Sequence, residues 1–116
     1  TLIERLQAHA GNVDAAMVYV SDHGESLGEN RLFLHGVPYR IAPSEQTKVP
    51  MVLWTSDGFA RADDIDIDCD RRREALPLSH DNLFHTVLGL LDVQTGLYEQ
   101  DLDITAGCRA ARLAKS

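Results

Sequence analysis

The chain has 116 residues, 44% hydrophobic and 25% charged, with a formal net charge of −7. That composition and length fit one small globular domain with its own core. The acidic balance argues against nonspecific nucleic-acid binding, which needs clustered Lys and Arg; the only basic cluster, Arg71-Arg72-Arg73, abuts an acidic run.

No apolar run approaches the ~18–20 residues that span a bilayer, and no signal peptide is visible. Thr1 is not an initiator Met, and the chain opens inside a helical pattern. We therefore expect a piece of a longer protein, about which those two absences say nothing.

Leu2, Ile3, Leu6 and Ala10 recur at close to helical spacing, and Gly11-Asn12 would stop that helix. His9, near its end, reads as a surface residue. Ala15 to Val20 is a continuous apolar run, the pattern of a strand covered on both faces as in a parallel sheet. A helix followed by such a strand suggests an α/β fold. Ser21-Asp22-His23-Gly24 would then lie just past the strand's carboxyl end, where ligands bind in open α/β sheets.

Residues 24–48 are punctuated by Gly24, Gly28, Gly36, Pro38 and Pro43 and read as loop. Within them, Leu32-Phe33-Leu34 suits a short packed element, and residues 42–46 suit one helical turn. Val49 to Trp54 is a second strand, with Pro50 at its start or on an edge. Ser56-Asp57-Gly58-Phe59 reads as a turn. Residues 60–78 are the least core-like, and Asp63 to Asp70 read as a solvated loop or exposed ribbon rather than a calcium loop, since EF-hand spacing is missing.

Ser79 is a good N-cap for a helix whose apolar face is built from Leu83, Phe84, Val87, Leu88, Leu90 and Leu91. His80 and His85 are five apart, off a common helix face, and read as structural. Thr95-Gly96 reads as a turn. Ala106 to Ala114 is expected to form a terminal helix with Arg109 and Arg112 on its wet side.

Asp and His are both good zinc ligands, at about 2.0–2.2 and 2.0–2.1 Å. Neighbours on a regular strand point to opposite faces, so Asp22 and His23 can share an ion only where the strand has ended and the backbone turns. Gly24 permits that turn. Zinc wants three or four ligands, and His35 is a possible third across a long loop; it could instead hold an anionic substrate group. Spacing alone favours a hydrogen-bonded Asp–His surface pair over a metal site. A nucleophilic triad has less support, since no Ser or Cys sits in a G-x-S-x-G context. Cys69 and Cys108 are compatible with two unrelated thiols or with one bridge.

The longer string changes the balance. Tyr19-Val-Ser-Asp-His-Gly-Glu-Ser-Leu-Gly-Glu-Asn30 resembles the metal-binding segment of bacterial phosphoethanolamine transferases, of the alkaline phosphatase/sulfatase superfamily. The likeness continues through Leu34-His35-Gly36, residues 42–46, Val49-Pro50-Met51 and residues 79–86. It implies an alkaline-phosphatase-like (sulfatase) α/β domain with mostly parallel strands flanked by helices, of which residues 1–116 would be the C-terminal portion.

By the same resemblance Asp22 and His23 would be zinc ligands. His35 would face the substrate phosphate or a second zinc, and Glu25 would lie near the ethanolamine. The nucleophile, a threonine, and the remaining ligands would come from earlier in the chain, so the fragment alone should be inactive. The implied activity transfers phosphoethanolamine from phosphatidylethanolamine to lipid A or a related glycolipid, contributing to polymyxin resistance. The implied location is the periplasmic face of the inner membrane, held there by an N-terminal membrane domain. An oxidising compartment favours a Cys69–Cys108 bridge. Two rivals remain: a sulfatase or phosphodiesterase of the same superfamily, and a truncated module that binds a partner without catalysis.

Overall fold

The computed structural model describes residues 1–24, 26–27, 33–34 and 48–109. The chain forms two compact units, one of Thr1–Ala15 with Thr55–Ser116 and one of Ala16–Trp54.

The first unit opens with helix α1, Leu2–His9. Thr1 and Glu4 make a capping box: the Thr1 hydroxyl accepts from the Glu4 N–H, and the Glu4 carboxylate reaches back to Thr1. The helix meets the sequence expectation, although none of its residues is fully buried.

Ser56 is the next organising residue. Its Oγ accepts from the Phe59 N–H at 3.2 Å and the Ala15 N–H at 3.0 Å, while its own N–H donates to Ala15 O at 2.8 Å. One buried serine thus caps helix α2, Asp57–Ala62, and ties that helix to residue 15. The turn expected at 56–59 is therefore a helix start; Ser-Asp-Gly serves either, and the long-range bond to Ala15 decides between them.

Residues 60–78 also depart from expectation. They contain the end of α2, a buried Ile65 and helix α3, Ile67–Arg72, capped by Asp66, whose Oδ1 accepts from the Cys69 N–H at 3.0 Å. Asp64 takes a left-handed φ of 54° at the bend. The segment is held by partners about forty residues away. Cys69 and Cys108 form a disulfide with Cα atoms 5.6 Å apart, as an oxidising compartment would favour. Ile65 bridges Arg109 in antiparallel fashion, and the Asp66 N–H donates to Cys108 O at 2.9 Å.

Helix α4, Asp81–Leu90, starts as the sequence suggests. The Ser79 Oγ accepts from the Asp81 N–H at 3.2 Å, and Asn82 Oδ1 accepts from the Ser79 N–H at 2.8 Å, while the flanking His80 caps nothing with its side chain. It ends in a Schellman motif: the Val93 N–H reaches Leu88 O, the Asp92 N–H reaches Gly89 O, and Asp92 adopts the left-handed φ of 53°. Its orientation is the correction. Phe84, Val87 and Leu91, expected in the core, are 51%, 38% and 68% exposed, whereas His85, Thr86, Gly89 and Leu90 are buried.

The inward side of α4 faces an irregular segment whose backbone needs partners. Asn82 Nδ2 donates to Leu102 O, His85 Nδ1 accepts from the Glu99 N–H, and Thr86 Oγ1 accepts from the Ile104 N–H, all at 2.9–3.1 Å. His85 thus has the structural role expected of it.

The helix expected over 106–114 is absent over its described part. Ala106–Cys108 is a single 3-10 turn, and Arg109 follows in extended conformation, buried rather than wet. Its guanidinium enters a polar core. Nη1 donates to Asp103 Oδ2 at 3.2 Å, and Nη2 lies 2.9 Å from Asp63 Oδ2 as an ion pair rather than an aligned hydrogen bond. The Tyr98 hydroxyl donates to the same Asp103 oxygen at 2.8 Å, and the Thr105 N–H and hydroxyl both donate to Oδ1. Gly89 is required here, because a Cβ would overlap the Asp103 carboxylate.

Among its described residues the second unit holds two small sheets. Strand β1, Ala16–Val20, neighbours β4, Met51–Thr55, whose last residue falls in the first unit. Pro50 sits just before β4, as expected of a residue that cannot donate to a ladder. β1 is half-buried with Tyr19 exposed, not covered on both faces as its apolar run suggests. Strands β2, Ser26–Leu27, and β3, Phe33–Leu34, pair antiparallel with Ser26 opposite Leu34. The short element expected at 32–34 is thus, over Phe33–Leu34, one strand of an antiparallel pair. The helical turn expected at 42–46 lies outside the described residues.

Candidate metal centre

Strand β1 ends at Val20, and the next four residues form a tight corner. The Ser21 hydroxyl donates to His23 O at 2.6 Å, folding the backbone back over two residues. The Asp22 Oδ1 accepts from the His23 N–H at 3.0 Å. The pleat has therefore ended where the sequence reading needs it to end, and Asp22 and His23 are released from opposite faces.

Their functional atoms converge. His23 Nε2 stands 3.7 Å from Asp22 Oδ2. Two ligands each about 2.0–2.2 Å from one tetrahedral zinc would be roughly 3.3–3.5 Å apart. The observed separation needs only a small side-chain adjustment to match.

The imidazole is also oriented from behind. Its Nδ1 lies 2.9 Å from Gly24 O. A carbonyl oxygen can only accept, so that contact places the ring proton on Nδ1 and, in the neutral ring, leaves the Nε2 lone pair toward Asp22. A backbone carbonyl behind a histidine is the usual outer partner of a metal-ligating imidazole. Both side chains are open to solvent, Asp22 at 87% and His23 at 45%.

The other two residues singled out by sequence, Glu25 and His35, lie outside the described residues. Among the described residues no group of three or more His, Cys, Asp and Glu side chains comes together as a metal site. Asp22 and His23 thus fit a metal as two of its ligands. Sequence reading missed the polar cluster around Arg109. The signals available for it were Gly89 inside a helix and the Asp103-x-Thr105 spacing, neither specific enough to predict an ion pair.

The chain matches the Sulfatase family over residues 1–93. It is 46% identical over 108 residues to the phosphoethanolamine transferase EptA of Salmonella typhimurium, an alignment covering 92% of this chain and 20% of that protein. Its fold superposes with a TM-score of 0.85 on the soluble domain of lipooligosaccharide phosphoethanolamine transferase A from Neisseria meningitidis. The identity there is 43%, over 93% of this chain and 34% of that one. The C-terminal periplasmic domain of phosphoethanolamine transferase EptC from Campylobacter jejuni gives a TM-score of 0.76 at 40% identity, over 90% of this chain and 32% of that one. The chain spans about a fifth of the length of the curated relative. The alkaline-phosphatase-like fold expected from sequence holds, and the chain belongs to the sulfatase family, with its likeness to phosphoethanolamine transferases.

Proposed function

We propose that the chain carries part of the zinc-binding region of a phosphoethanolamine transferase acting at the periplasmic face of the bacterial inner membrane. The donor in this reading is phosphatidylethanolamine, and the acceptor is a phosphate of lipid A or a related glycolipid, which lowers sensitivity to polymyxin. The observation that carries it is the corner at 21–24, where Asp22 Oδ2 and His23 Nε2 converge with Nδ1 turned to Gly24 O. The relatives' names support the transfer chemistry, and a lipooligosaccharide acceptor and a periplasmic domain appear among them.

Asp22 and His23 hold the ion in this reading, and Gly24 O fixes the ring so that Nε2 need not reorient on binding. Bound zinc supplies a lowered pKa to a nucleophilic hydroxyl and neutralises charge on phosphorus oxygens. His35 steadies the substrate phosphate, and Glu25 sits near the ethanolamine ammonium. The nucleophile, a threonine from outside these 116 residues, takes phosphoethanolamine from the donor with release of diacylglycerol and passes it to the acceptor phosphate.

The test uses the full-length enzyme. Asp22→Ala or His23→Ala is expected to lower bound zinc and to abolish addition of phosphoethanolamine to lipid A, read by metal analysis and mass spectrometry. Unchanged zinc with unchanged transfer sinks the ligand assignment. His35→Ala is expected to lose transfer while keeping most of the zinc; full activity contradicts a substrate role.

A further inference from the structure

Helix α4 turns half of its apolar residues to solvent. The residues it turns inward are His85, Thr86, Gly89 and Leu90, with Asn82 beside them. Those it turns to solvent are Phe84, Val87 and Leu91, with Leu88 half-buried next to them. At 100° per residue, 84, 87 and 91 fall on one stripe directly opposite 85, 86 and 89. A surface helix carries its apolar stripe toward the core and its charges toward water, and a helix with apolar residues on its outer face belongs to the interior of something larger. The inner face is already committed, because Asn82, His85 and Thr86 each bond a backbone group of segment 99–104 and Gly89 leaves room for the Asp103 carboxylate. The helix cannot roll over to bury Phe84 and Leu91 without orphaning those groups.

We propose that the Phe84–Val87–Leu91 stripe is a docking surface for the part of a sulfatase-type transferase domain that lies outside these 116 residues. The inference rests on family membership and not on the zinc assignment. Coverage argues for this occupant: the chain matches 34% of the meningococcal soluble domain while itself being matched over 93%, so about two-thirds of such a domain is available to pack on it. Size argues against a second copy. Three partly exposed side chains offer a few hundred Å², well below the roughly 800 Å² per partner of a standard stable interface. Charge argues against a lipid surface. The stripe holds no Lys or Arg, Asp81 and Asp92 bracket it, and a net charge of −7 is repelled by anionic headgroups.

The experiment compares one substitution in two contexts. Leu91→Glu and Phe84→Glu are made in the 116-residue chain and in a chimera where this chain replaces the matching third of the meningococcal soluble domain. In the isolated chain the side chains face water, so Tm should move by less than about 2 °C. In the chimera the same changes would bury a carboxylate, and Tm should fall by roughly 10 °C or soluble protein should be lost. Conservative Leu91→Met should be tolerated in both. Equal small effects in both contexts overturn the proposal, as does a parent chimera that fails to fold with the stripe intact. Dimerisation of the isolated chain that Leu91→Glu abolishes, or its flotation with phosphatidylethanolamine vesicles, would assign the face to another occupant and also overturn it. None of these readouts depends on zinc or transfer, so failure here leaves the metal reading untouched.

Discussion

Two pairings of an aspartate with a basic side chain stand in contrast. Asp22 and His23 are adjacent in sequence, at a strand end, with both side chains in solvent. Asp103 and Asp63 meet Arg109 from 6 and 46 residues away, and the Asp103 and Arg109 side chains are almost fully excluded from water. An exposed pair contributes roughly 0–1 kcal/mol to stability, so the fold does not depend on it. A buried set is different: losing one member leaves the others charged and unpaired in a low-dielectric surrounding. The first pair lies in solvent at a strand end and the second holds a segment in place, and substitutions should separate the two.

The largest effect is expected at Arg109. Arg109→Ala leaves Asp103 and Asp63 facing each other's cavity without a cation and should cost about 3–5 kcal/mol in urea denaturation, or prevent folding outright. A loss below about 1 kcal/mol would mean that the cluster is wetter than its burial indicates. Next comes the disulfide. Closing a loop with a sequence separation of 39 is worth up to about 4 kcal/mol by chain entropy. Reduction, or Cys69→Ser with Cys108→Ser, should therefore lower stability by about 2–4 kcal/mol. It should loosen residues 65–73 first, because Ile65, Asp66 and Arg73 all bond to residues 104–109. Hydrogen exchange at the Asp66 amide, which donates to Cys108 O, reports that loosening; unchanged protection after reduction would contradict it.

These two regions also show what sequence can carry. The 15–24 corner was legible because every cause is local: an apolar run, then a small polar residue, two ligand types and a glycine. The start of α4 beside Ser79, whose hydroxyl accepts from the Asp81 N–H, was legible for the same reason, whereas the capping box at Thr1 was not anticipated. Residues 56–78 were misread as turn and loop because what makes them helical lies elsewhere. Ser56 is fixed by Ala15, Ile65 by Arg109, and Cys69 by Cys108. A run of aspartates looks solvated until the arginine that Asp63 meets is known. Helix α4 was recognised, but of its expected core face only Leu90 is buried and Leu83 and Leu88 half-buried, because apolar periodicity says which side prefers burial, not which side this chain covers.

A pH-dependent difference should come from Asp70. Its carboxyl is raised to about 6 from an ordinary 3.8, chiefly by burial, with Asp103 and Asp66 adding to the rise and Arg73 and Arg109 opposing it. Its Oδ2 is buried with no hydrogen-bond partner among the described residues. A raised carboxyl means that the folded state binds more protons than the unfolded one, so stability falls as pH rises from about 4 to about 6 and stays lower above that. Asp70→Asn should remove that loss. After allowance for the group's partial exposure to solvent, the variant should be about 1 kcal/mol more stable at pH 7.5 and no more stable at pH 3.5. A gain of equal size at both pH values would trace the effect to packing instead of charge.

The smallest effect on stability should be at the metal corner, and its smallness is informative. Asp22→Asn keeps an oxygen that can accept from the His23 N–H and removes only the charge opposite Nε2. With the carboxylate so exposed, the chain should change by less than about 0.5 kcal/mol in the absence of metal. Added zinc should separate the forms. A ligand that binds only the folded state raises stability by RT ln(1 + [L]/Kd), so the parent chain should gain stability with zinc and Asp22→Asn should gain less. Loss of several kcal/mol without metal would move Asp22 into the class of Asp103, a residue that holds the fold, and the contrast between the two pairs would fail.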